Sequence, residues 1–380
     1  NLRLILCLWN SPKHLLLPYH PRNKRIQSVG ISDNMRHSDK FITRIEEMFH
    51  YLSLGKKEVQ PSKFWIKLNK LHMKELSRDG FDNIKQTVVR KYFANTPLFF
   101  MNKQVLFLVL NLNPLSTMKN LIRSFIIHKH SFFSRLDSAS YNFLTLMIWD
   151  YVKLHDKDKL LQLLEEPLIG NPPRIYDHKK LVSQDLANSV MEYKSMIEGI
   201  KNRKALKTIC ELGAGSGRNA FVFLSLMPGI KYIIIDIPPA LAISERYLSQ
   251  VFPGKKIFRF RSFKTFSEIK DEFREADILF FLSSQIEKLP KGSADLFINI
   301  SSLHEMRMDQ VKYYLKQIER LTRKGGYFYF KQWKIAYVPY EDIYINQVDY
   351  KLKLQWKKIF VREAKIQTKF FEALYRLEKY

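Results

Sequence analysis

Apolar residues in the first 165 positions recur at intervals of three and four, which is the spacing of one face of an α-helix. Phe41, Ile45 and Met48 follow this spacing, and Pro61 opens a second segment of the same kind. The pattern predicts helices at 38–54, 61–76, 98–112, 117–128, 140–155 and 157–165. Residues 1–30 lack it and are predicted to be irregular. The sequence therefore predicts an all-helical N-terminal region.

The pattern changes after Gly170-Asn171-Pro172-Pro173, which interrupts the helical spacing. One more amphipathic helix, 183–200, precedes short apolar runs that alternate with helical segments, as in a parallel α/β sheet. The runs predict strands at 208–212, 231–236, 278–282, 295–300 and 327–330. Two further runs, 354–361 and 366–377, suit strands, although 366–377 fits a helix equally well. We therefore divide the chain into a helical region, 1–170, and an α/β region, 171–380.

Residue types at segment ends predict where the helices of the α/β region begin and stop. Pro238-Pro239 is expected to open a helix over 241–251. Asp309 is expected to cap the helix that covers 311–321, and Gly325-Gly326 to end it.

Three glycines at alternate positions follow the first predicted strand. Gly213 is expected to adopt a backbone conformation closed to other residues, Gly215 to let the main chain approach a ligand, and Gly217 to let the next helix pack closely. An acid, Glu211, stands two residues before the first glycine. A carboxylate there would repel a pyrophosphate and attract an ammonium group, which favours a cationic ligand over a dinucleotide.

The glycine turn resembles the first motif of the class I, Rossmann-like methyltransferases, E/D-x-G-x-G-x-G, whose cofactor is S-adenosylmethionine. A second matching feature is Asp236, which ends an apolar strand 19 residues after Gly217. Such folds place there the carboxylate that binds both ribose hydroxyls. A glycine turn in an unrelated α/β protein is the alternative. The resemblance implies a mostly parallel sheet with an antiparallel edge hairpin formed by 354–361 and 366–377.

The resemblance also implies which residues bind the cofactor. Ser284 and Gln285, at the end of strand 278–282, are candidates for the adenine edge, although the family more often has an acid there and a turn-forming Ser pair is the alternative. Ser183, Gln184 and Asn188 are either further cofactor contacts or solvated helix residues. The predicted cofactor-binding set is Glu211, Gly213, Ala214, Gly215, Gly217, Asp236, Ile237, Ser284, Gln285 and Ser301.

A candidate general base follows the fourth strand. His304 is the best-placed histidine for taking the proton of a hydroxyl nucleophile, and Glu305 either orients it or is itself the base. A structural histidine bonded to the backbone is the alternative. The fourth strand lacks the D/N-P-P-Y/F/W sequence used on nucleobase amines, which argues against DNA adenine methylation. No Asp/Glu/His cluster marks a Mg²⁺ site, so we expect a mechanism without metal.

Three motifs together look like a family of sugar O-methyltransferases from bacterial polysaccharide gene neighbourhoods. They are 211–218, 299–306 and 327–333, which contain the glycine turn, SSLHEM and KQW. The resemblance covers most of residues 60–377 and implies a sugar or glycan acceptor, either a nucleotide sugar or a surface polysaccharide. An RNA or protein methyltransferase, a methyltransferase of another small molecule and a non-catalytic binding protein of the same fold are the alternatives.

The net charge of +26 is compatible with an anionic substrate, but it is spread along the chain without an arginine-rich block or a recognisable RNA-binding module. We therefore do not expect a nucleic-acid partner. Two cysteines, Cys7 and Cys210, cannot form a disulfide framework, and the apolar runs 2–9 and 105–112 are too short to span a bilayer. A cytoplasmic location is the expectation.

Overall fold

A computed structural model describes residues 31–90, 103–126, 132–338 and 340–378. Helices form most of the described residues before 157 and cover the sheet in the rest of the chain. They are α1 Ile31–Ser53, α2 Lys63–Asp79, α3 Lys103–Asn111, α4 Pro114–Ile126, α5 Phe132–His155, α6 Gln184–Glu198, α7 Arg218–Leu226, α8 Ala240–Val251, α9 Lys270–Glu275 and α10 Met308–Leu321. The helical character predicted before residue 157 is confirmed in these residues. The predicted irregular segment 1–30 lies outside them, as do positions 98–102 and 127–128 of two predicted helices. No described helix has the length and apolar character needed to cross a membrane.

The strands form one large sheet and two small hairpins. They are β1 Tyr176–Asp177, β2 Lys180–Leu181, β3 Thr208–Leu212, β4 Lys231–Asp236, β5 Ile257–Phe258, β6 Ile278–Leu282, β7 Ala294–Ile300, β8 Thr322–Trp333, β9 Ile335–Val338, β10 Ile343–Asn346, β11 Trp356–Glu363 and β12 Phe370–Leu377. The eight-stranded sheet has the order β11-β12-β8-β7-β3-β4-β6-β5. All its pairs are parallel except β11–β12 and β12–β8. The predicted Rossmann-like sheet and its antiparallel edge hairpin are confirmed, and 366–377 contains a strand rather than a helix.

The central strands of the sheet are mostly apolar and almost wholly buried, as expected for a sheet covered on both faces. Ile209 and Ile234 pack into a core that also contains Ile45 of α1 and Ile148 of α5. Their neighbours, such as Cys210, point to the other face, which α10 covers. The described residues of the helical region and the α/β region therefore share one core.

A buried ion pair also joins the two regions. Arg44 of α1 binds Glu245 of α8, with 2.8 Å between Nη2 and Oε1. The Glu245 carboxylate is almost fully buried, so the pair belongs to the packed interface and not to a solvated surface.

Three local predictions are corrected by the structure. The segment 157–165 contains only a short 3₁₀ turn, Leu160–Gln162. Asp309 lies inside the first turn of α10, whose N-cap is Arg307. Gly325 and Gly326 lie within β8, since the helix ends at Leu321 and the strand starts at once. A Cβ on Gly326 would lie 2.9 Å from the Asp295 carbonyl oxygen, so this glycine serves close strand packing instead of helix termination.

Candidate active site

The three glycines form a left-handed turn at the carboxyl end of β3. The φ angles of Gly213, Gly215 and Gly217 are 76°, 60° and 84°, a region that only glycine adopts readily. The Gly213 amide donates to the Ile235 carbonyl over 2.8 Å, which ties the turn to β4. A Cβ on Gly217 would lie 3.1 Å from Leu248 of α8, so the close packing expected at this glycine is present.

Asp236 joins the end of β4 to the centre of the glycine turn. Its Oδ2 accepts from the Gly215 amide over 2.8 Å, and its Oδ1 accepts from the Ile237 amide over the same distance. Burial raises the pKa of this carboxyl to about 7, although both amide donors oppose that shift. Each oxygen keeps a second lone pair for a further donor. Gly215, Asp236 and Ile237, three predicted site residues, are therefore brought together.

Glu211 lies beneath the turn. Its Oε2 accepts from the Tyr232 hydroxyl over 2.7 Å, and its Oε1 accepts from the Asn219 amide over 3.3 Å. Burial raises the pKa of this carboxyl to about 7, against the effect of Tyr232. The carboxylate thus links β3 to β4 and α7 through Tyr232 and Asn219. Its contact with a ligand's ammonium group stays a prediction.

The two predicted residues after β6, Ser284 and Gln285, differ in whether their polar atoms are already hydrogen-bonded. Gln285 is fully buried, and its amide accepts from the Leu282 amide (3.0 Å) and donates to the Arg261 carbonyl (2.8 Å). Ser284 is half-buried, and its hydroxyl has no hydrogen-bond partner in the part of the chain that the structure describes. Ser284 is therefore the better candidate for a ligand contact, because both polar atoms of the Gln285 amide already bond to protein groups.

A short segment after α1, residues 55–62, covers the carboxyl ends of β6 and β7. A Cβ on Gly55 would lie 3.0 Å from the Ser284 Cβ. Ser62, the N-cap of α2, donates its hydroxyl to the Glu305 carbonyl over 3.0 Å. The helical region therefore contacts both ends of the predicted site.

His304 follows β7 and is buried against the end of β8. Its Nδ1 lies 2.8 Å from Gln332 Oε1, and its ring stacks on Trp333 with 5.2 Å between ring centroids. Burial lowers the pKa of His304 to about 4, although the bond to Gln332 opposes the shift. Its Nε2 lies 3.9 Å from Glu305 Oε1. The imidazole is therefore neutral at neutral pH and has a carboxylate beside its outer nitrogen.

A chain of amides fixes the orientation of that imidazole. Gln332 Nε2 donates to Asn299 Oδ1 over 2.6 Å, and Asn299 Nδ2 donates to the Leu212 carbonyl over 2.8 Å. Because Nε2 of Gln332 is committed as a donor, its Oε1 faces His304 and accepts the Nδ1 proton. The lone pair of His304 then lies on Nε2. Leu212 directly precedes Gly213, so the amide chain links the glycine turn to the candidate base.

Ser301 connects β7 to the His304 loop in a strained conformation. Its φ of 56° lies in the left-handed region, which costs a serine of the order of 1 kcal/mol. Its amide donates to the Lys331 carbonyl over 2.9 Å, and this bond to β8 holds the turn. Strain of this kind is common at functional sites, but the predicted cofactor contact of Ser301 stays a prediction.

Sequence reasoning missed a buried ionic cluster on α6. Glu192 binds Arg218, the residue after Gly217, with 2.6 Å between Oε2 and Nη1, and it binds Lys331 Nζ over 2.8 Å. Burial opposes its ionisation, but these two cations lower the pKa of Glu192 to about 2. The partners lie 26 and 139 residues from Glu192, which is why no local pattern marks the cluster.

The polar residues predicted at the start of α6 have separate surroundings. Ser183 caps the helix, accepting from the Leu186 amide over 3.0 Å, and donates to Glu166 over 2.6 Å. Gln184 is fully buried, and Asn188 lines a small cavity beside Lys331. No group of three or more metal-ligating side chains occurs among the residues described here.

Comparison with known proteins gives partial likenesses. No family model matches the chain. An acetylserotonin O-methyltransferase from Bos taurus is 33% identical over 121 residues, which are 31% of this chain and 28% of the relative. The chain thus matches little more than a quarter of that relative's length.

Two solved structures are similar over about half of the chain. A SAM dependent methyltransferase from Aquifex aeolicus is 15% identical, with 50% of this chain and 98% of that chain covered and a TM-score of 0.30. A 1,6-didemethyltoxoflavin-N1-methyltransferase from Burkholderia thailandensis is 14% identical, with 61% and 88% covered and a TM-score of 0.31.

Proposed function

We propose that this chain is a class I, S-adenosylmethionine-dependent O-methyltransferase, and that its acceptor is the hydroxyl of a sugar. One observation carries the proposal. The glycine turn, in which Asp236 accepts from the Gly215 amide, lies at the end of β3. The unprotonated Nε2 of His304 lies after the neighbouring strand β7. The stretch shared with the Bos taurus relative, itself an O-methyltransferase by name, supports the reaction class.

The turn fits the cofactor in shape and in charge. Gly215 brings no side chain to the middle of the turn, and the Asp236 carboxylate keeps free lone pairs for two ribose hydroxyls. Ser284, with its unpaired hydroxyl, stands at the end of the next strand, as the adenine edge requires. When bound, S-adenosylmethionine supplies a methyl carbon that exchanges its bond to sulfur for a bond to the acceptor oxygen.

His304 is the proposed base of this reaction. A sugar hydroxyl is a poor nucleophile, so its proton must leave as the new bond forms. Nε2 of His304 takes that proton, and the Glu305 carboxylate, 3.9 Å away, stabilises the resulting imidazolium. Gln332 keeps Nδ1 protonated throughout and so holds the ring in the reactive tautomer.

We propose separate roles for the two regions of the chain. Residues 171–380 bind the cofactor, and residues 1–170 shape the acceptor side. The contacts of Gly55 with Ser284 and of Ser62 with Glu305 support the second role, since they place helical-region backbone at the carboxyl edge of the sheet.

A hydroxylated small molecule other than a sugar is the second candidate acceptor. The aromatic rings of Trp333 and Phe370 lie beside His304, at 5.2 and 6.0 Å between centroids, and would suit a flat apolar acceptor.

The test is single-turnover methyl transfer from labelled S-adenosylmethionine to a panel of nucleotide sugars and of hydroxylated aromatic compounds. His304→Ala should lower kcat by about 10²- to 10⁴-fold and leave cofactor affinity unchanged. Glu305→Gln should cost less, because the carboxylate only stabilises the imidazolium. A His304→Ala protein with wild-type kcat would refute the base assignment. Transfer to aromatic compounds alone would refute the sugar acceptor, and absence of cofactor binding would refute the methyltransferase.

A further inference from the structure

A small cavity lies between α6 and the strands β8 and β12. The polar part of its wall consists of Asn188, Glu192, Ser195, Lys331, Lys365 and Glu372. Lys365 is exposed, so the cavity reaches the surface at the connection between β11 and β12. That connection lies at the carboxyl edge of the sheet, because Phe370, the first residue of β12, pairs with Trp333, the last residue of β8. The cavity is therefore on the side of the sheet where the candidate base lies.

The side chain of Phe370 connects the cavity to His304. Its ring centroid lies 5.7 Å from Lys331 Nζ, a wall atom of the cavity, and 6.0 Å from the centroid of the His304 ring. The same aromatic ring thus contacts both the candidate base and the cavity. An acceptor whose reacting hydroxyl reaches Nε2 of His304 can therefore extend a second group past Phe370 into the cavity.

Two groups of the wall still have hydrogen-bonding capacity. Asn188 is only 6% exposed, and its side-chain amide makes no hydrogen bond within the part of the chain that the structure describes. One helical turn further along α6, Glu192 accepts from Lys331 Nζ over 2.8 Å, which uses one of the three N–H donors of that ammonium group. A buried amide without a partner is unfavourable, and a ligand can supply the missing partner.

The carboxylates of the wall are already bonded. Glu372 accepts from the hydroxyls of Ser195 and Tyr329 over 3.1 and 2.8 Å. Glu192 accepts from Arg218 over 2.6 Å in addition to its bond with the lysine. The polar wall contains two acids and two lysines, so it offers no excess of positive charge to an anion. A neutral polar group suits this cavity better than a charged one.

We propose that the cavity binds a second, unreacting hydroxyl group of the acceptor. That hydroxyl accepts from Lys331 Nζ and donates to the Asn188 side-chain oxygen. The cavity has room for about one water-sized group, which fits a hydroxyl and is too small for a carboxylate or a phosphate. The inference rests on the proposed function and deepens it, since it requires an acceptor with a further hydroxyl near the one that is methylated.

The test is a cycle that changes the acceptor and the protein in turn. The probes are the nucleotide sugar that wild type methylates fastest and its monodeoxy analogues, each without one of the other hydroxyls. For wild type, one analogue should have kcat/KM lowered about tenfold or more, because it leaves buried polar groups unpaired. Asn188→Leu should lower kcat/KM for the parent sugar by a similar factor and should discriminate far less between the parent and that analogue.

The matched control is Asn202→Leu, at an exposed asparagine, which should react like wild type. Asn188→Leu should keep the cofactor affinity of wild type in calorimetric titration. It should also keep its stability in urea unfolding, because the Asn188 amide has no protein hydrogen bond to lose among the described residues. A second variant, Asn188→Ala, enlarges the cavity instead of filling it and should show the same loss of discrimination.

The contrary results are distinguishable from one another. If wild type transfers methyl to no nucleotide sugar, the proposed function and this inference are both wrong. If wild type is active but both Asn188 variants discriminate between parent and analogues as wild type does, this inference alone is wrong. Weaker cofactor binding by the variants would assign Asn188 to the cofactor site instead. Lower stability with unchanged kinetics would mean that the cavity holds only a structural water.

Discussion

His304 donates its Nδ1 proton to Gln332 Oε1 over 2.8 Å, and this contact decides which nitrogen of the ring can act as a base. The decision is made by Asn299, whose Oδ1 accepts from Gln332 Nε2 and so turns the carbonyl end of the amide toward the histidine. A neutral amide at this place orients the ring without raising its pKa as strongly as a carboxylate would.

Gln332→Met should release the imidazole from its single tautomer. The hydrogen bond contributes about 0.5–1.5 kcal/mol, so the variant should lose up to roughly tenfold in kcat through misplacement of the proton, with cofactor affinity intact. Nitrogen-15 NMR of labelled histidine reports the tautomer directly, and wild type should carry the proton on Nδ1. A proton on Nε2 in the wild-type spectrum would contradict the assigned orientation.

Gly215→Val should abolish tight cofactor binding. A β-branched residue at φ 60° is strained by about 1–2 kcal/mol, and its side chain would occupy the middle of the turn. The matched control is Gly229→Val, since Gly229 has a φ of 83° with open space around it and lies away from the site. Calorimetric titration with S-adenosylmethionine should show binding by the control and at least tenfold weaker binding by Gly215→Val. Equal affinities would place the cofactor elsewhere.

Glu211→Gln should change how stability depends on pH. The folded-state pKa of about 7 lies above the usual 4.5, so the folded protein holds a proton that the unfolded chain releases between these values. Wild-type stability should therefore fall by up to about 3 kcal/mol, relative to the variant, as the pH rises from 4.5 through 7. Urea unfolding at pH 5 and pH 8 measures this difference. Parallel changes in the two proteins would show that Glu211 is ionised when folded.

Glu192→Gln should destabilise the fold because it leaves Arg218 and Lys331 buried without a counter-charge. Breaking a buried pair in this way costs about 3–5 kcal/mol. The control is Glu363→Gln, which breaks the exposed pair with Lys334 and should cost at most about 1 kcal/mol. Urea unfolding of both variants compares them. If Glu192→Gln is no less stable than the control, the ionic cluster does not stabilise the fold.

The shared core makes truncation a poor way to separate the two regions. Ile45 and Ile148 of the helical region pack in the same core as Ile209 and Ile234 of the sheet. Removing residues 1–165 would expose that face of the core, so a soluble cofactor-binding fragment is not expected. Roles of the regions are better tested by substitutions at Ser62 and Ser284, where the two meet the site.

The local sequence predicted most of the helices, the strands β3, β4, β6, β7 and β8, and the glycine turn. The left-handed turn was predictable from the glycines at 213, 215 and 217, and the strand end from the acid at 236. Backbone conformation and strand burial depend on nearby residue types. Periodicity alone did not establish the edge hairpin, since the apolar spacing in 366–377 fits both a helix and a strand. Pairing of Phe370–Leu377 with β8 decided it.

What only the tertiary structure decided is which polar groups meet. The sequence placed His304 after a strand, but its partner Gln332 lies 28 residues later on the neighbouring strand, and Glu192 is joined to Lys331 across 139 residues. Likewise, Glu211 and Gln285 were candidate ligand contacts by position, and the fold shows both already bonded to protein groups. Secondary structure is set by short-range sterics and apolar spacing, whereas the state of a buried polar group depends on the atoms that packing brings within hydrogen-bonding distance.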